Sequence, residues 1–480
     1  MPTNPSYRIK SVEITTDTLT SRGGMSLFVK YLQAIAIVPL LLEKFGGLKK
    51  SRKGVTLKNL FFQVLCFFLE GTSRHLTHFD QLREDAGYAA VLEVPEDQMA
   101  SSHAMKRFFG MFGVFAAEAF RWVLKQLFVW RLQLNQPRVV QLTLDTMVMD
   151  NDEALKREGC DPTYKKRKGF QPLHLLWEGK IVDAIFRRGK RHSNYGNDAK
   201  KMIRENVRLI REKYDASVAI VLRFDSGFLD EANFALCDEL GIGFIATGKV
   251  FEAIKQQVAA IAEGQWQGYD SGRQRWSYAR FEYRCQAWDK GRTYRALYTR
   301  PQYDEGQQLL DFARPDNIIV TNLDLTHKVL QGMTPELQEY WLEDETIIFH
   351  HHQRGADELP HRALKEFGSE QLPFKRFAAN RAYYYLMVVS FFLFETFKED
   401  TLKDILPITS YATTIRRKLV DFAAKVVRTG GELILKVPAV VMERLQMAML
   451  WTRCQGASPI LQIQLTANPP VCNGDRRSVY

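Results

Sequence analysis

Two apolar runs end on an aspartate followed by a small hydroxyl residue: LTLDT places Asp145 before Thr146, and LRFDS places Asp225 before Ser226. A carboxylate at the end of a buried strand costs desolvation energy unless it has a partner, and a divalent cation bound by oxygen ligands is one such partner. Either aspartate alone is equally well a cap at a strand-to-helix boundary. Side by side, the two would offer oxygen ligands to one or two Mg²⁺ ions. A third candidate lies in HHHQRGADELPHRALKEFG, where Glu358 follows Arg354 by four residues and Lys365 follows Glu358 by seven. That spacing sets one carboxylate between two cations on a single helix stripe. It suits Glu358 as a metal ligand with Arg354 and Lys365 on phosphate oxygens. A solvated helix with i,i+4 ion pairs is the competing reading.

Positioning these groups needs an α/β frame. Residues 139–144 form a β-rich run ending on Asp145. Residues 174–177 and 181–186 flank the turn Glu178-Gly179-Lys180 as a hairpin, and 218–224 is a second strand ending on Asp225. Helices are predicted over 198–213 and 230–240, with further strands at 243–248 and 318–320, giving a mixed sheet with a leading antiparallel hairpin. Before it, 3.6-type spacing predicts a helical segment over 1–136, a DNA-binding candidate beside the plain reading of amphipathic surface helices. Within it Ser101 or Ser102 caps a helix showing Lys106 and Arg107 outward and Met105, Phe108 and Phe109 inward. The sheet region divides into 137–250 and 317–374 around a β-rich insertion at 251–316, whose period-two texture carries Trp266, Trp276 and Trp288 and a turn at Asp289-Lys290-Gly291. The remainder, 375–480, reads as mostly helical and basic with a short strand at 432–436, and suits dimerisation or DNA contacts. Pro360, two residues after Glu358, predicts that its helix begins near 355–357 or bends there.

The 480 residues carry 66 Lys+Arg against 55 Asp+Glu, a formal charge of +11, which favours an extended polyanion as partner over a basic substrate. The excess is concentrated. Residues 165–201 hold eleven Lys or Arg, including Lys165, Lys166, Arg167, Lys168 and Arg188, against Glu178, Asp183 and Asp198. Such density fits a phosphate-tracking surface, or a solvated charge run. With 46% hydrophobic residues the chain is neither a disordered tail nor a collagen-like fibre. Its six cysteines form no CxxC pair, and with a polar start at residues 1–22 they predict a reducing, cytoplasmic setting. The apolar stretch 382–397 is shorter than a membrane span and reads as a buried helix. The triplet His350-His351-His352 lacks the HExxH pattern or cysteine partner of a zinc site.

The order Asp145, Asp225, Glu358, with a β-rich insertion between the second and third, resembles the DDE transposases of bacterial insertion sequences, whose catalytic domain is ribonuclease-H-like. It is similar in particular to the group whose last motif is Tyr-x2-Arg-x3-Glu-x6-Lys. Here His351-x2-Arg354-x3-Glu358-x6-Lys365 departs only at the first position, and RFDSGF resembles that group's second-aspartate motif. The resemblance covers roughly residues 139–397. It implies two Mg²⁺ ions, replaceable by Mn²⁺, held by Asp145, Asp225 and Glu358. It further implies in-line attack by water and then a DNA 3′-hydroxyl without a covalent protein intermediate. It implies cut-and-paste transposition by a homodimer on terminal inverted repeats and target DNA, with a hairpin at the element end as one route. On this resemblance His351 could donate a hydrogen bond near the cleaved phosphate, and one of Trp266, Trp276 and Trp288 could stack on an unpaired base, with core packing the competing reading for each. The alternatives are a transposase-derived DNA-binding protein that no longer cleaves, and a membrane protein anchored through 382–397.

Overall fold

The computed structural model describes residues 9–113, 115–153, 157–272, 274–284, 292–302 and 317–460, and their side chains except those of 354–358. After a short strand, β1 (Thr18–Thr20), come α1 (Met25–Ala34), α2 (Ile37–Phe45), α3 (Leu57–Glu70), α4 (His78–Glu84), α5 (Ala86–Val91), α6 (Ser102–Gly110) and α7 (Ala116–Asn135). Local chemistry sets their ends. The Thr56 hydroxyl accepts from the Asn59 N–H to start α3, and Gly71, at φ 58°, closes it in the left-handed region. Ser101 caps α6 through the Ala104 N–H, and the helix turns Met105, Phe108 and Phe109 inward while His103, Lys106 and Arg107 stay exposed, the predicted division.

The sheet region opens with β2 (Val139–Thr146). The short strands β3 (Met149–Asp150), β4 (Asp161–Pro162) and β5 (Lys168–Phe170) then form a small sheet of their own. Next comes the predicted hairpin, β6 (Leu173–Trp177) and β7 (Lys180–Ile185), whose turn puts Glu178 and Gly179 at φ 45° and 77°. A two-residue turn with both φ positive matches the twist of the paired strands. The chain continues through α8 (Asp198–Lys213), β8 (Ala219–Phe224), α9 (Glu231–Leu240), β9 (Gly243–Thr247) and α10 (Glu252–Ala259). It then runs through β10 (Gln267–Asp270), β11 (Arg275–Tyr283), β12 (Tyr294–Pro301) and β13 (Asn317–Thr321). One nine-stranded sheet results, ordered β10-β11-β12-β13-β9-β8-β2-β6-β7, in which β2, β8 and β9 are parallel neighbours and the other pairs are antiparallel.

The β-rich segment predicted as an insertion pairs with this sheet: antiparallel partners run from β10 to β13, and β13 docks on β9. The turn expected at 289–291 lies outside the described residues.

Then follow α11 (Pro335–Leu342), α12 (Asp344–His352), α13 (Arg354–Phe367), α14 (Phe377–Phe397), α15 (Ala412–Ile415), β14 (Ala424–Thr429), β15 (Glu432–Lys436), α16 (Ala439–Arg444) and α17 (Met447–Gln455). The basic C-terminal stretch contains a hairpin rather than a lone strand: β14 and β15 turn at Gly430 and Gly431, and β1 pairs with β14. The helix carrying Glu358 begins at Arg354, earlier than Pro360 suggests, and the proline lies inside it.

Period-two alternation gives the sheet two buried faces. Ile220, Leu222 and Phe224 of β8 join a core shared with the N-terminal helices and α14, whereas Ala219 and Val221 join Ile347, Ile348 and Trp341 of α11 and α12. The helix Phe377–Phe397 is apolar enough to span a membrane by composition, but 83% of its most apolar window is buried among α3, α6, α7 and β7. It is the central strut of the core.

Candidate active site

Asp145 and Asp225 are brought together by register. Leu144 of β2 faces Phe224 of β8 in parallel pairing, so the next residue on each is an aspartate at the carboxyl end of adjacent strands. Strand parity puts both on the face of Thr143 and Arg223, the face that α12 covers. Arg223 donates from Nη2 to the Thr143 hydroxyl at 2.9 Å and from Nη1 to the carbonyl of His350 at 3.0 Å, tying the strand ends to that helix.

Each carboxylate is held from its own loop. Asp145 Oδ1 accepts from the Thr146 N–H at 2.6 Å, and Asp225 Oδ1 from the Gly227 N–H at 2.8 Å. A Cβ on Gly227 would lie 2.9 Å from that carboxylate and 3.0 Å from the Ser193 hydroxyl, which is why RFDSGF needs glycine there. Ser193 also meets the Thr146 hydroxyl at 3.2 Å.

A pocket of about 370 Å³ opens over the pair, lined by Asp145, Thr146, Met147, Val148, Tyr164, Lys165, Asp225, His361, Arg362 and Lys365. Lys365 sits on α13 and pairs with Glu370 at 2.8 Å. Three cations thus rim two carboxylates, a donor set matched to a hard divalent ion and phosphate oxygens. Among the described residues no group of three or more His, Cys, Asp or Glu side chains could hold a metal. The side chains of Glu358 and Arg354 lie outside the described residues. Their helix supplies His361, Arg362 and Lys365 to the pocket.

Two of these residues escaped the sequence reading. His361, three residues after Glu358 and so on its helix face, places Nδ1 3.7 Å from Asp145 Oδ2 and Nε2 2.9 Å from Nδ1 of His174. Burial, with Lys365 and Lys165 nearby, pushes its pKa down to about 4, and burial takes His174 well below the ordinary histidine range. Arg362 is exposed beside it, over the ring of Tyr411. The spacing from Glu358 was the available signal for both.

The remaining predicted residues scatter. Lys166 occupies a left-handed turn at φ 58°, and Lys168 is exposed on β5. Arg167 and Arg188 make long surface pairs, 3.5 Å to Asp150 and 3.8 Å to Glu158. His351 is buried at the end of α12, its Nε2 3.0 Å from the Thr247 hydroxyl on β9. The three histidine rings diverge: His350 stacks on Trp341 at 4.3 Å and His352 packs on Trp276 at 4.4 Å. Trp266 lies under the Arg300 guanidinium at 3.8 Å. Trp288 lies outside the described residues. Lys180 and Arg187 of the basic run are buried. Lys180 pairs with Glu399, and Arg187 donates to the carbonyls of Gln171 and Ser193.

Buried neutral histidines make acid stability a test of this packing. Burial lowers His350, like His361, to about 4. A histidine depressed in the folded state stabilises it above the unfolded value of about 6.5, and that contribution is lost as pH falls towards the folded value. Each shift corresponds to roughly 3 kcal/mol. The urea midpoint should therefore fall steeply between pH 6.5 and 4, and His350→Gln should flatten that slope; an unchanged slope would contradict the buried placement of His350.

A mixed α/β sheet thus carries two carboxylates at its strand ends under a basic rim. Residues 5–458 match the family described as "Transposase DDE domain group 1", and the chain belongs to that family: it is a transposase. No curated protein matches it. Among solved structures, it is similar to the chain in the cryo-EM structure of a piggyBac transposase synaptic complex with hairpin DNA. That alignment has 10% identity and a TM-score of 0.41, over 96% of this chain and 90% of that one.

Proposed function

We propose that this transposase is a cation-dependent DNA strand-transfer enzyme that excises a bacterial insertion sequence and joins its ends to a target by cut-and-paste. The observation that carries the proposal is the register-matched pair Asp145 and Asp225 in one pocket with Lys165, Arg362 and Lys365. We read the sheet from β2 to β9 as ribonuclease-H-like, on the strength of its antiparallel lead strands, its parallel β8 and β9, and the aspartates at the strand ends. In this reading Asp145, Asp225 and Glu358 hold Mg²⁺, or Mn²⁺ in its place. The bound ions would supply a lowered water pKa and charge stabilisation at phosphorus.

The chain's own groups do the rest. Lys365, Lys165 and Arg354 bind the phosphate oxygens and hold the scissile ester in line. Asp145 and Asp225 keep fixed orientations because backbone N–H groups occupy one oxygen of each. Lys106 and Arg107, exposed on α6, and Lys166, Arg167, Lys168 and Arg188 track the duplex backbone. The segment 1–136 recognises the element's ends, and two copies of the chain bring the ends together in the cytoplasm, on nucleoid DNA.

The test is excision in vitro from a plasmid carrying the DNA that flanks the gene, with and without Mg²⁺. Mg²⁺-dependent release of the segment between inverted repeats, followed by joining, is the expected result. End binding without cutting would favour the second reading, a transposase-derived DNA-binding protein that has lost cleavage.

A further inference from the structure

Behind Asp145 runs a buried chain of polar groups that the proposed reaction does not use. His174 stands directly across from Asp145 in the β2–β6 register. Its Nδ1 meets His361 Nε2 at 2.9 Å, and its Nε2 is hydrogen-bonded to the hydroxyl of Tyr384 on α14. His361 Nδ1 then faces Asp145 Oδ2 at 3.7 Å. Four elements, β2, β6, α13 and α14, thus meet in one line, and His174 and Tyr384 have no exposed surface.

The line has a direction. If the Tyr384 hydroxyl donates to His174 Nε2, the proton of His174 is on Nδ1 and is donated to His361 Nε2, which leaves the His361 proton on Nδ1, facing the carboxylate. The opposite direction would aim a lone pair of His361 at Asp145, like against like. The carboxylate therefore selects the first arrangement.

The geometry points to His361 as a positioning residue for Asp145, with His174 and Tyr384 fixing which of its nitrogens carries the proton that faces Oδ2. The inference rests on the reading of Asp145 as a cation ligand. Oδ1 is held by the Thr146 N–H, and Oδ2 faces His361 Nδ1 at 3.7 Å, an electrostatic contact longer than a hydrogen bond that biases the carboxylate's tilt. Groups that orient ligands in this way change metal affinity about 10–100-fold when removed.

The test uses the full chain and Mn²⁺ alone, by calorimetric titration, with thermal melts in parallel. In His361→Gln the amide reaches the Nε2 position, keeping the contact with His174 while removing the donor at Asp145. In His361→Asn the amide sits at the Nδ1 position and keeps that donor. Expected are a loss of Mn²⁺ affinity of about tenfold in His361→Gln, and of at most about threefold in His361→Asn. Tyr384→Phe keeps the ring but frees the tautomer, and should also weaken Mn²⁺ by about threefold. Native Mn²⁺ affinity in both His361→Gln and Tyr384→Phe, whatever their melting temperatures, would overturn the inference, as would equal losses in the Gln and Asn variants. Asp145→Asn separates the two claims. If it binds Mn²⁺ as tightly as the native chain, the reading of Asp145 itself fails; if it weakens binding while His361→Gln does not, only the role of His361 fails.

Discussion

Asp145→Asn, Asp225→Asn and Glu358→Gln should each lower DNA cleavage by about a thousandfold, or ~4 kcal/mol of barrier, with binding of the element's end DNA within about threefold of native. The amides are chosen because they preserve shape. An asparagine at 145 or 225 still accepts from the Thr146 or Gly227 N–H through its carbonyl oxygen, so the strand ends stay in place. What is lost is the charge that would hold a divalent ion. Cleavage rates on a nicked or intact end duplex, beside gel-shift binding of the same duplex, separate the two effects. Native cleavage by any of the three removes that residue from the site.

The second large effect concerns the frame. Asp183 on β7 is fully buried, and both its oxygens are engaged: Arg121 of α7 donates from Nε at 2.8 Å and Nη2 at 2.7 Å, and Asn206 of α8 donates at 2.8 Å. Arg121 is itself buried and shares Glu205 with Lys125. Asp183→Ala would leave Arg121 Nε and the Asn206 amide without their buried acceptor, with only the partly exposed Glu205 and Glu118 left to the guanidinium, and should destabilise the fold by about 3 kcal/mol, read as a shift of the urea midpoint. A change under about 1 kcal/mol would mean that the α7–β7–α8 junction is held by apolar packing alone. Because β7 flanks β6, and β6 carries His174 opposite Asp145, cleavage should fall with stability in this variant.

How far the sequence discloses this architecture depends on whether a signal is local. The strands ending on Asp145 and Asp225 and the hairpin between them are legible because apolar β-branched runs end at recognisable turn and cap residues. The helix over 198–213 is legible from its amphipathic pattern; the burial of 382–397 is not legible from length, because the helix containing it, Phe377–Leu402, is long and apolar enough to span a membrane and is placed inside only by its packing. What periodicity does not encode is pairing. Nothing in the sequence of residues 267–301 shows that its three strands continue the main sheet, because that is decided by the long-range contact of β13 with β9. The first strand of the C-terminal hairpin, Ala424–Thr429, hides in a basic stretch, its Lys425 paired with Asp17 and its Arg428 exposed.

The basic counts misled for a related reason. Lys180, Arg187 and Arg416 sit in runs that read as surface, yet the first two are buried and Arg416 is half-buried. Arg416 donates to the carbonyls of Phe68, Leu69 and Phe367 and thereby satisfies the ends of α3 and α13. A long cationic side chain serves as a cap as readily as a phosphate contact, and composition cannot separate the two uses. His174 was illegible for the opposite reason: a lone histidine carries no pattern until the fold brings it to His361, 187 positions away.

The central claim is that paired aspartates at the strand ends, with a bound cation, cut DNA without a covalent link to the protein. The most direct measurement is the chemistry of the ends formed when the full chain excises its flanked segment in Mg²⁺. The account predicts free 3′-hydroxyl ends, all cutting stopped by EDTA and restored by Mn²⁺, and no DNA bound to protein after denaturation. Cutting that persists in EDTA, or a strand left attached to the chain, would contradict it.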